Sequence, residues 1–313
     1  MSNFKQLFNE SLKSRDTEET IDIYFTRPIG LVFALMWKKL GVHPNAVTAL
    51  SIMLGIAAGI MFYFPDLEHN IYGVLFLMFA NFCDSTDGQL ARITGKHTLV
   101  GRVLDGFSGD VWFFAIYMAI ILRLWNQPMP GTDYAWGIWI FVLAAIAGIM
   151  CHSPQSSLSD YYRQIHLFFL KGKAGSELDT YEQQHAILKS LPKKGAWLAK
   201  LFYFNYANYC HSQERRTPAF QKLMATMKEK YGGVENIPQQ VKDEFLAGSR
   251  PLMKFTNILT FNMRAICLYI TCLLGCPWVY LLVEIIVMSL IYIYMHKCHE
   301  GLCKKIYNDI TSK

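Results

Sequence analysis

The sequence predicts an all-α integral membrane protein: a bundle of six transmembrane helices with an N-terminal interfacial helix and a cytoplasmic helical insertion. Of its 313 residues, 52% are hydrophobic and only 17% are charged, whereas soluble domains carry about 25% charged residues. Six segments approach the roughly 20 apolar residues that a membrane-crossing helix requires. The 8 cysteines are scattered, mostly within apolar runs, which predicts free thiols and no disulfide framework.

The six predicted spans form a group of four followed, after a long polar stretch, by a group of two. They cover residues 46–65, 70–90, 101–124, 134–152, 256–275 and 277–296. Aspartates interrupt the second and third spans near the ends at which these two spans meet. Because charged side chains at membrane depth cost free energy, these aspartates require a specific explanation.

Lysine and arginine are distributed unevenly among the predicted loops. The loops after the first, third and fifth spans contain one basic residue, Arg123, and nearly all the others lie in the remaining polar segments. By the positive-inside rule, both termini and the turn between the second and third spans are cytoplasmic. The net charge of +6 suits loops that face anionic lipid, and we expect no nucleic-acid partner.

The chain is predicted to divide into four parts. Residues 1–45 form a cytoplasmic arm with the interfacial helix, and residues 46–152 contain the first four spans with the aspartates. Residues 153–255 form the cytoplasmic helical insertion, and residues 256–313 contain the last two spans and a cytoplasmic tail.

Two segments of the insertion have interpretable patterns. The segment KGAWLAKLFYFNYANYC is basic and aromatic, a composition typical of helices that lie on a bilayer surface. Further along, Thr217 and Pro218 are typical of a helix start, and Gly232 is typical of a helix end.

The aspartates of the second and third spans have a regular spacing. Asp84 and Asp87 are three residues apart and therefore lie on one face of a helix, together with the small residues Gly88 and Ala91. Because the turn that follows is short, the third span returns antiparallel to the second. We therefore expect Asp105 to meet the two earlier aspartates at the cytoplasmic end of the bundle.

These carboxylates repel one another, and no equal number of basic residues lies on the same faces, so the pattern predicts a bound cation. Hard oxygen ligands favour Mg²⁺, Mn²⁺ or Ca²⁺ over zinc. Mg²⁺ commonly leaves coordination positions for substrate phosphates, and paired ions can clamp a diphosphate. The residues alone leave open an aspartate ladder that binds protons or cations in a transporter.

The spacing resembles the signature of the CDP-alcohol phosphotransferase family, D-x2-D-G-x2-A-R-x8-G-x3-D-x3-D. The residues that match it in type and position are Asp84, Asp87, Gly88, Ala91, Arg92, Gly101 and Asp105. The six-span layout and the PNAVT start of the first span extend the resemblance over much of the membrane part. Residues 171–250 are not explained by it.

The last signature position departs from the family, because it falls on Gly109 and the next aspartate is Asp110. In the family, this aspartate contributes to the second metal site and is the proposed base for the acceptor hydroxyl. One residue is about 100° on a helix, so Asp110 would face away from Asp105. Three outcomes are open. A π-bulge in the helix would restore the register of the fourth aspartate, or Asp105 or His97 would act as the base in its place. In the third outcome, activity is reduced or lost.

The resemblance implies roles for eight positions. Two Mg²⁺ or Mn²⁺ ions would be held by four aspartates, which are Asp84, Asp87, Asp105 and Asp110. The last two would also act in catalysis. The nucleotide and the diphosphate would be lined by Gly88, Ala91, Arg92 and Gly101.

The implied reaction is transfer of a phosphatidyl or similar phospholipid group from a CDP-linked lipid, such as CDP-diacylglycerol, to a polar alcohol, with release of CMP. Inositol or inositol phosphate is the first expectation for the acceptor, ahead of glycerol phosphate and serine. The lipid is either a glycerolipid or a ceramide. The expected location is the bacterial inner membrane with a cytoplasmic active site, and the family commonly forms homodimers.

Other functions are weighed against this one. An Mg²⁺-dependent prenyltransferase also binds diphosphate through aspartates, but the Gly, Ala and Arg spacing disfavours it. There are two non-enzyme alternatives, an ion- or proton-coupled transporter and an inactive family member that acts as a scaffold. The only sequence feature that supports inactivity is Gly109, which stands where the family has an aspartate.

Two further groups of residues lie outside the motif. Arg264 and Glu284 have similar depths in the last two spans, which favours a structural ion pair; the alternative is that Arg264 binds an anionic acceptor or a phosphate. Near the C-terminus, the run HKCHEGLC has poor spacing for zinc and predicts a solvated tail.

Overall fold

The computed structural model describes residues 6–8, 14–96, 98–192 and 194–312. The chain is 82% helix, and no strand occurs in the part described, which confirms the predicted all-α class. His97, considered above as a base, lies outside the described residues. In chain order, the helices are α1 (Arg27–Lys39), α2 (Pro44–Tyr63), α3 (Leu67–Thr94), α4 (Leu99–Leu124), α5 (Ile138–Ala145), α6 (Ser153–Lys171), α7 (Tyr181–Ser190), α8 (Trp197–Arg216), α9 (Pro218–Tyr231), α10 (Gln239–Ser249), α11 (Met253–Ile258), α12 (Phe261–Leu273), α13 (Trp278–Leu282) and α14 (Ser289–Thr311).

Three π-helical segments adjoin these helices. They are Asp22–Thr26 before α1, Ile146–His152 between α5 and α6, and Val283–Met288 between α13 and α14. With the π-helical residues included, two helices continue for 34 residues each, Ile138–Lys171 and Trp278–Thr311.

Four of the described helices are long and apolar enough to cross a membrane: Pro44–Tyr63, Val103–Leu124, Ile138–Lys171 and Trp278–Thr311. They correspond to the first, third, fourth and sixth predicted spans. The second predicted span lies in α3, which has 28 residues but contains the aspartates. The fifth is divided between α11 and α12, which have 6 and 13 residues. The count of six spans therefore stays a prediction.

The chain divides into two compact units. The first consists of Met1–Ser153 and Phe261–Val287, and the second of Pro154–Thr260 and Met288–Lys313. The four-part division predicted from the sequence is not tested by this grouping.

Small residues allow α2, α3 and α4 to pack closely in the first unit. A Cβ atom built on Gly55 of α2 would lie 1.9 Å from the Trp112 ring of α4, and one on Gly73 of α3 would lie 2.7 Å from the Phe62 ring of α2. Side chains at these two positions would force the helices apart, so glycine is what lets them approach.

The ends of α3 and α4 are fixed by local capping. Gly95 adopts a left-handed conformation, with φ of 67°, and ends α3. The Thr98 side chain then accepts a hydrogen bond of 2.9 Å from the Gly101 backbone N–H and starts α4. The chain reverses through this short turn, and α3 and α4 both pack along α2. The sequence predicted that α3 and α4 would pack against each other, and extensive packing between the described residues of these two helices is not formed.

The second unit contains the predicted helix start at Thr217. Helix α9 begins at Pro218 and ends at Tyr231, and Gly232 follows in a left-handed conformation, so the predicted bounds are confirmed. Thr217 occupies the N-cap position, but its side chain makes no capping hydrogen bond. The first N–H groups of α9, those of Ala219 and Phe220, donate to the Glu300 carboxylate at 2.8 and 3.4 Å. A carboxylate at a helix N-terminus is favoured by the helix dipole.

The predicted solvated tail is wrong. Helix α14 continues to Thr311 and buries one side, including His299, which is 0% exposed and stacks on Tyr162 with ring centroids 3.9 Å apart. The tail has a hydrophobic period that buries Cys303, Ile306 and Ile310, and the sequence reasoning overlooked it. Among the described residues, the groups close enough to hold a metal do not include this histidine and cysteine run.

Candidate metal site

Three carboxylates from α3 and α4 converge in the first unit. Ligand oxygens of Asp84, Asp87 and Asp105 all lie within 4.8 Å of one another. Oxygens bound to one Mg²⁺ or Ca²⁺ ion lie about 2.0–2.6 Å from it, so oxygens on opposite sides of the ion are roughly 4–5 Å apart. The three carboxylates therefore have a spacing that fits a divalent cation.

The burial of these carboxylates also favours a cation. Asp87 is 3% exposed, and its buried Oδ2 atom has no hydrogen-bond partner among the described residues. Asp84 is half-buried and Asp105 is exposed. Because a buried polar atom without a partner costs about 1–3 kcal/mol, and more when it is charged, a bound cation would remove a real penalty. The donor set, three carboxylates, suits Mg²⁺ or Mn²⁺.

Ser108 links the two helices at this site, and sequence reasoning missed it. Its Oγ atom lies 2.7 Å from Asp84 Oδ1 and 2.9 Å from the Asp105 backbone oxygen. A signal was present, since Ser108 is three residues after Asp105 and therefore on the same face of α4. Such a hydroxyl orients the carboxylate that it contacts.

The residues expected to line the nucleotide lie on the same two helices. In the last turns of α3, Ala91 is half-buried and Arg92 is exposed. A Cβ atom on Gly88 would lie 3.6 Å from Arg92 Nη1, whereas one on Gly101 would lie 2.6 Å from Asn45 Oδ1. Gly101 thus has a packing role, because a side chain there would displace Asn45.

The structure does not bring Asp110 to the three carboxylates. Every residue of α4 is α-helical, so the π-bulge that would restore the signature register is not formed. Asp110 lies about 140° around the helix from Asp105 and interacts electrostatically with His152. Position 109 lies only about 40° from Asp105, and a Cβ atom built on Gly109 would meet no atom within 4 Å.

A second polar cluster surrounds Glu284 in the first unit. Arg264 Nη1 lies 2.5 Å from Glu284 Oε1, with the two side chains 1% and 0% exposed, which confirms the predicted ion pair. His152 Nδ1 lies 3.0 Å from the same oxygen. Tyr280 donates to it at 2.7 Å, and Tyr117 donates to the other carboxylate oxygen.

Sequence reasoning found the ion pair of this cluster but missed the three residues around it. His152 and Tyr117 have no regular spacing to Glu284 in the sequence. Tyr280, however, precedes Glu284 by four residues, a helical spacing that could have indicated the contact. Two of the cluster's members lie in π-helical segments, His152 at the end of one and Glu284 near the start of another.

Charged residues at the start of α1 and just before it act on Asp84. Arg27 and Asp22 interact electrostatically with Asp84. Arg27 Nη2 lies 3.2 Å from Glu18 Oε1, and Asn262 of α12 donates to Asp22 Oδ1 at 2.9 Å. The N-terminal segment, to which the sequence assigned an interfacial position and no part in the site, therefore supplies charges beside Asp84.

Comparison with known proteins agrees with the motif. The family model described as CDP-alcohol phosphatidyltransferase matches residues 41–159. Over 67 residues, the chain is 36% identical to an archaetidylinositol phosphate synthase of Pyrococcus horikoshii, a stretch that covers 21% of this chain and 34% of the relative. Over 122 residues, it is 30% identical to a phosphatidylinositol phosphate synthase of Streptomyces avermitilis, covering 39% and 48%.

The matched regions thus span about a third and about half of the length of these curated relatives. No solved structure matches the chain significantly.

Proposed function

We propose that this chain transfers a phosphatidyl or similar phospholipid group from a CDP-linked lipid to a polar alcohol. The match of residues 41–159 to the CDP-alcohol phosphatidyltransferase family model supports this reaction. The observation that carries this proposal is the group of three carboxylates within 4.8 Å, which lies inside the matched residues. The chain's candidate membrane spans suit a lipid-linked donor.

Asp84, Asp87 and Asp105 are the residues that would hold Mg²⁺ or Mn²⁺. When bound, a pair of such ions neutralises the donor diphosphate and the charge that develops on the leaving phosphate. The unpartnered Oδ2 atom of Asp87 supports this assignment. Ser108 would keep Asp84 in the orientation that binding needs.

The transfer itself forms a bond between the acceptor oxygen and the β-phosphorus of the donor, and it breaks the bond from that phosphorus to the oxygen of CMP. The hydroxyl proton of the acceptor goes to a carboxylate. We assign this role to Asp105, because it is the exposed member of the group. The electrostatic interaction of Asp110 with His152 does not support Asp110 as the fourth acid. A catalytic role of Asp110 stays a prediction, which CMP release by Asp110→Asn tests.

The acceptor that we propose is inositol phosphate, with free inositol as the alternative. Both relatives named above are synthases of an inositol phosphate lipid. Arg27, whose guanidinium also pairs with Glu18, adds a positive charge that acts on Asp84. A phosphorylated acceptor would suit such a cation better than a neutral alcohol would.

The proposed location is the bacterial inner membrane, with both termini and the site on the cytoplasmic side. The distribution of lysine and arginine supports this orientation. A homodimer is the proposed assembly, by analogy with the family, and nucleic acid is not an expected partner.

The test is CMP release by the purified chain from CDP-diacylglycerol, with Mg²⁺ or Mn²⁺ and a panel of alcohols. We expect that CMP release requires both the metal and inositol phosphate, and that the Asp87→Asn variant shows no CMP release. Asp110→Asn run alongside decides whether Asp110 takes part. Release of free diphosphate from a prenyl donor would instead indicate prenyl transfer, and no release from any CDP-linked lipid would favour an inactive scaffold.

A further inference from the structure

Helices α7 and α8 of the second unit form a hairpin that polar contacts hold in place. Thr180 starts α7 with a reciprocal capping box. The Tyr181 backbone N–H donates to Glu214 Oε1 at 2.9 Å, and the Tyr206 hydroxyl donates to Asp179 Oδ2 at 3.0 Å. Burial, together with the Asp179 carboxylate, raises the pKa of Tyr206, so its phenol stays protonated and donates.

One side of α8 carries large apolar side chains that the chain leaves uncovered. Trp197, Leu201 and Phe204 are 73%, 52% and 56% exposed, and their spacing of i, i+4, i+7 places them in one stripe. The opposite side of the helix is packed, since Cys210 and Gln213 are 2% and 4% exposed. The exposed stripe is therefore held in a fixed orientation by a buried face.

The charge around this stripe has one sign. From Gln183 to Gln213 the sequence contains four lysines and no aspartate or glutamate. Of these lysines, Lys189 and Lys194 are exposed, and Lys200 is half-buried within the first turn of α8. The tip of the hairpin thus combines an apolar stripe with positive charge, as do helices that bind anionic lipid surfaces.

We propose that the stripe of Trp197, Leu201 and Phe204 docks on an anionic bilayer surface. The second unit includes parts of two candidate membrane spans, Ile138–Lys171 and Trp278–Thr311. A membrane that these two helices cross would tether the hairpin, and tethering raises the effective concentration of the bilayer surface at the stripe. The positive border selects anionic lipid, since each lysine near such a surface favours binding by about fivefold.

The experiment uses the full-length chain in nanodiscs made of phosphatidylcholine brominated on its acyl chains, with or without phosphatidylglycerol. The emission of Trp197 is taken as the difference between the wild type and Trp197→Tyr. We expect roughly twofold or stronger quenching of this emission by the brominated lipid when phosphatidylglycerol is present, because docked apolar side chains reach the acyl boundary. Quenching by aqueous iodide should be small under the same conditions.

A matched control moves the fluorophore to an exposed acidic position of α9. Trp197→Tyr/Glu229→Trp should show strong iodide quenching and no quenching by the brominated lipid. Phosphatidylglycerol should increase the lipid quenching of Trp197 emission in the wild type. The variant Lys189→Gln/Lys194→Gln/Lys200→Gln should lose most of this increase.

Three results would overturn the proposal. Iodide quenching of Trp197 without lipid quenching would mean that the stripe faces water. Protection from both quenchers would mean that protein, such as a second copy, covers it. Lipid quenching that is unchanged by phosphatidylglycerol and by the lysine substitutions would mean that the stripe docks on a bilayer without selecting anionic lipid.

Discussion

Two clusters of ionisable side chains lie in the first unit, and they differ in how their negative charge is balanced. At Glu284, the carboxylate meets the Arg264 guanidinium at 2.5 Å, and the imidazole of His152 lies beside it. At Asp84 and Asp87, a third carboxylate approaches within 4.8 Å, and a buried oxygen has no partner among the described residues. The first cluster pairs its charges within the chain, whereas the second gathers three carboxylates and leaves one buried oxygen without a partner among the described residues.

The difference shows that a buried charge in a membrane helix does not by itself mark a ligand site. A buried ion pair satisfies its own charges and acts on the fold. A cluster of like charges destabilises the folded protein, and a bound ligand of opposite charge offsets this cost. Substitutions among the aspartates are therefore expected to change metal binding, whereas substitutions at Glu284 and its partners are expected to change stability.

The largest effect is expected from Asp87→Asn. Removing this carboxylate should lower CMP release by about 10³-fold or more, because several kcal/mol of metal-dependent stabilisation are lost. The same substitution should raise the melting temperature in EDTA, because it relieves repulsion and neutralises a buried oxygen without a partner. Activity assays and thermal unfolding with and without metal check both signs. If Asp87→Asn instead lowered the melting temperature in EDTA, the Asp87 carboxylate would stabilise the fold without metal, which would contradict its assignment as a metal ligand.

Arg264→Met should act on stability instead. It leaves the Glu284 carboxylate buried without its guanidinium, which costs about 3–5 kcal/mol. The loss should be the same in EDTA and in saturating Mg²⁺, because this cluster does not depend on metal. Denaturant unfolding in mild detergent measures it. Arg264→Met/Glu284→Gln should recover part of the loss, and a stability unchanged by Arg264→Met would contradict the structural role.

Ser108→Ala tests the orientation of the metal ligands. Loss of the hydroxyl 2.7 Å from Asp84 should weaken Mn²⁺ binding by about 10–100-fold. Ser159→Ala is the matched control, because that hydroxyl donates to the Gln155 backbone oxygen at 2.7 Å in the second unit. Titration of Mn²⁺ by electron paramagnetic resonance measures both variants. Equal affinities in the two variants would remove Ser108 from the site.

The smallest effect is expected from Gly109→Asp, which supplies the carboxylate that the family signature has at this position. A Cβ atom there meets nothing within 4 Å, and an added ligand oxygen should tighten Mn²⁺ binding by roughly tenfold. Gly106→Asp is the control, since it has the same free space but lies about 100° from Asp105. Tightening in both variants would indicate a general charge effect and no specific ligand.

The spacing of aspartates on α3 and α4 sufficed to predict that three carboxylates meet. The i, i+3 pattern fixes the helix face, and a short turn that begins at the left-handed Gly95 returns the chain so that Asp105 meets the two earlier aspartates. The Arg264 and Glu284 pair was likewise predictable, because both residues lie at similar distances from one turn. These inferences depend only on local geometry along one or two helices.

Contacts between residues distant in sequence could not be predicted in this way. His152 and Tyr117 join Glu284 from other helices, and nothing in their local spacing indicates it. The burial of His299 depends on the packing of α14 in the second unit. The one-residue shift at Asp110 was visible in the sequence, but only the structure shows that α4 is a regular α-helix, which leaves Asp110 about 140° around the helix from Asp105.

The most direct test of the account is Mn²⁺ binding by the purified chain, measured for the wild type, Asp87→Asn and Asp110→Asn. We expect Asp87→Asn to lose Mn²⁺ binding and Asp110→Asn to bind Mn²⁺ as tightly as the wild type. Loss of binding in Asp110→Asn, or wild-type binding in Asp87→Asn, would contradict the assignment of the three carboxylates as the metal site.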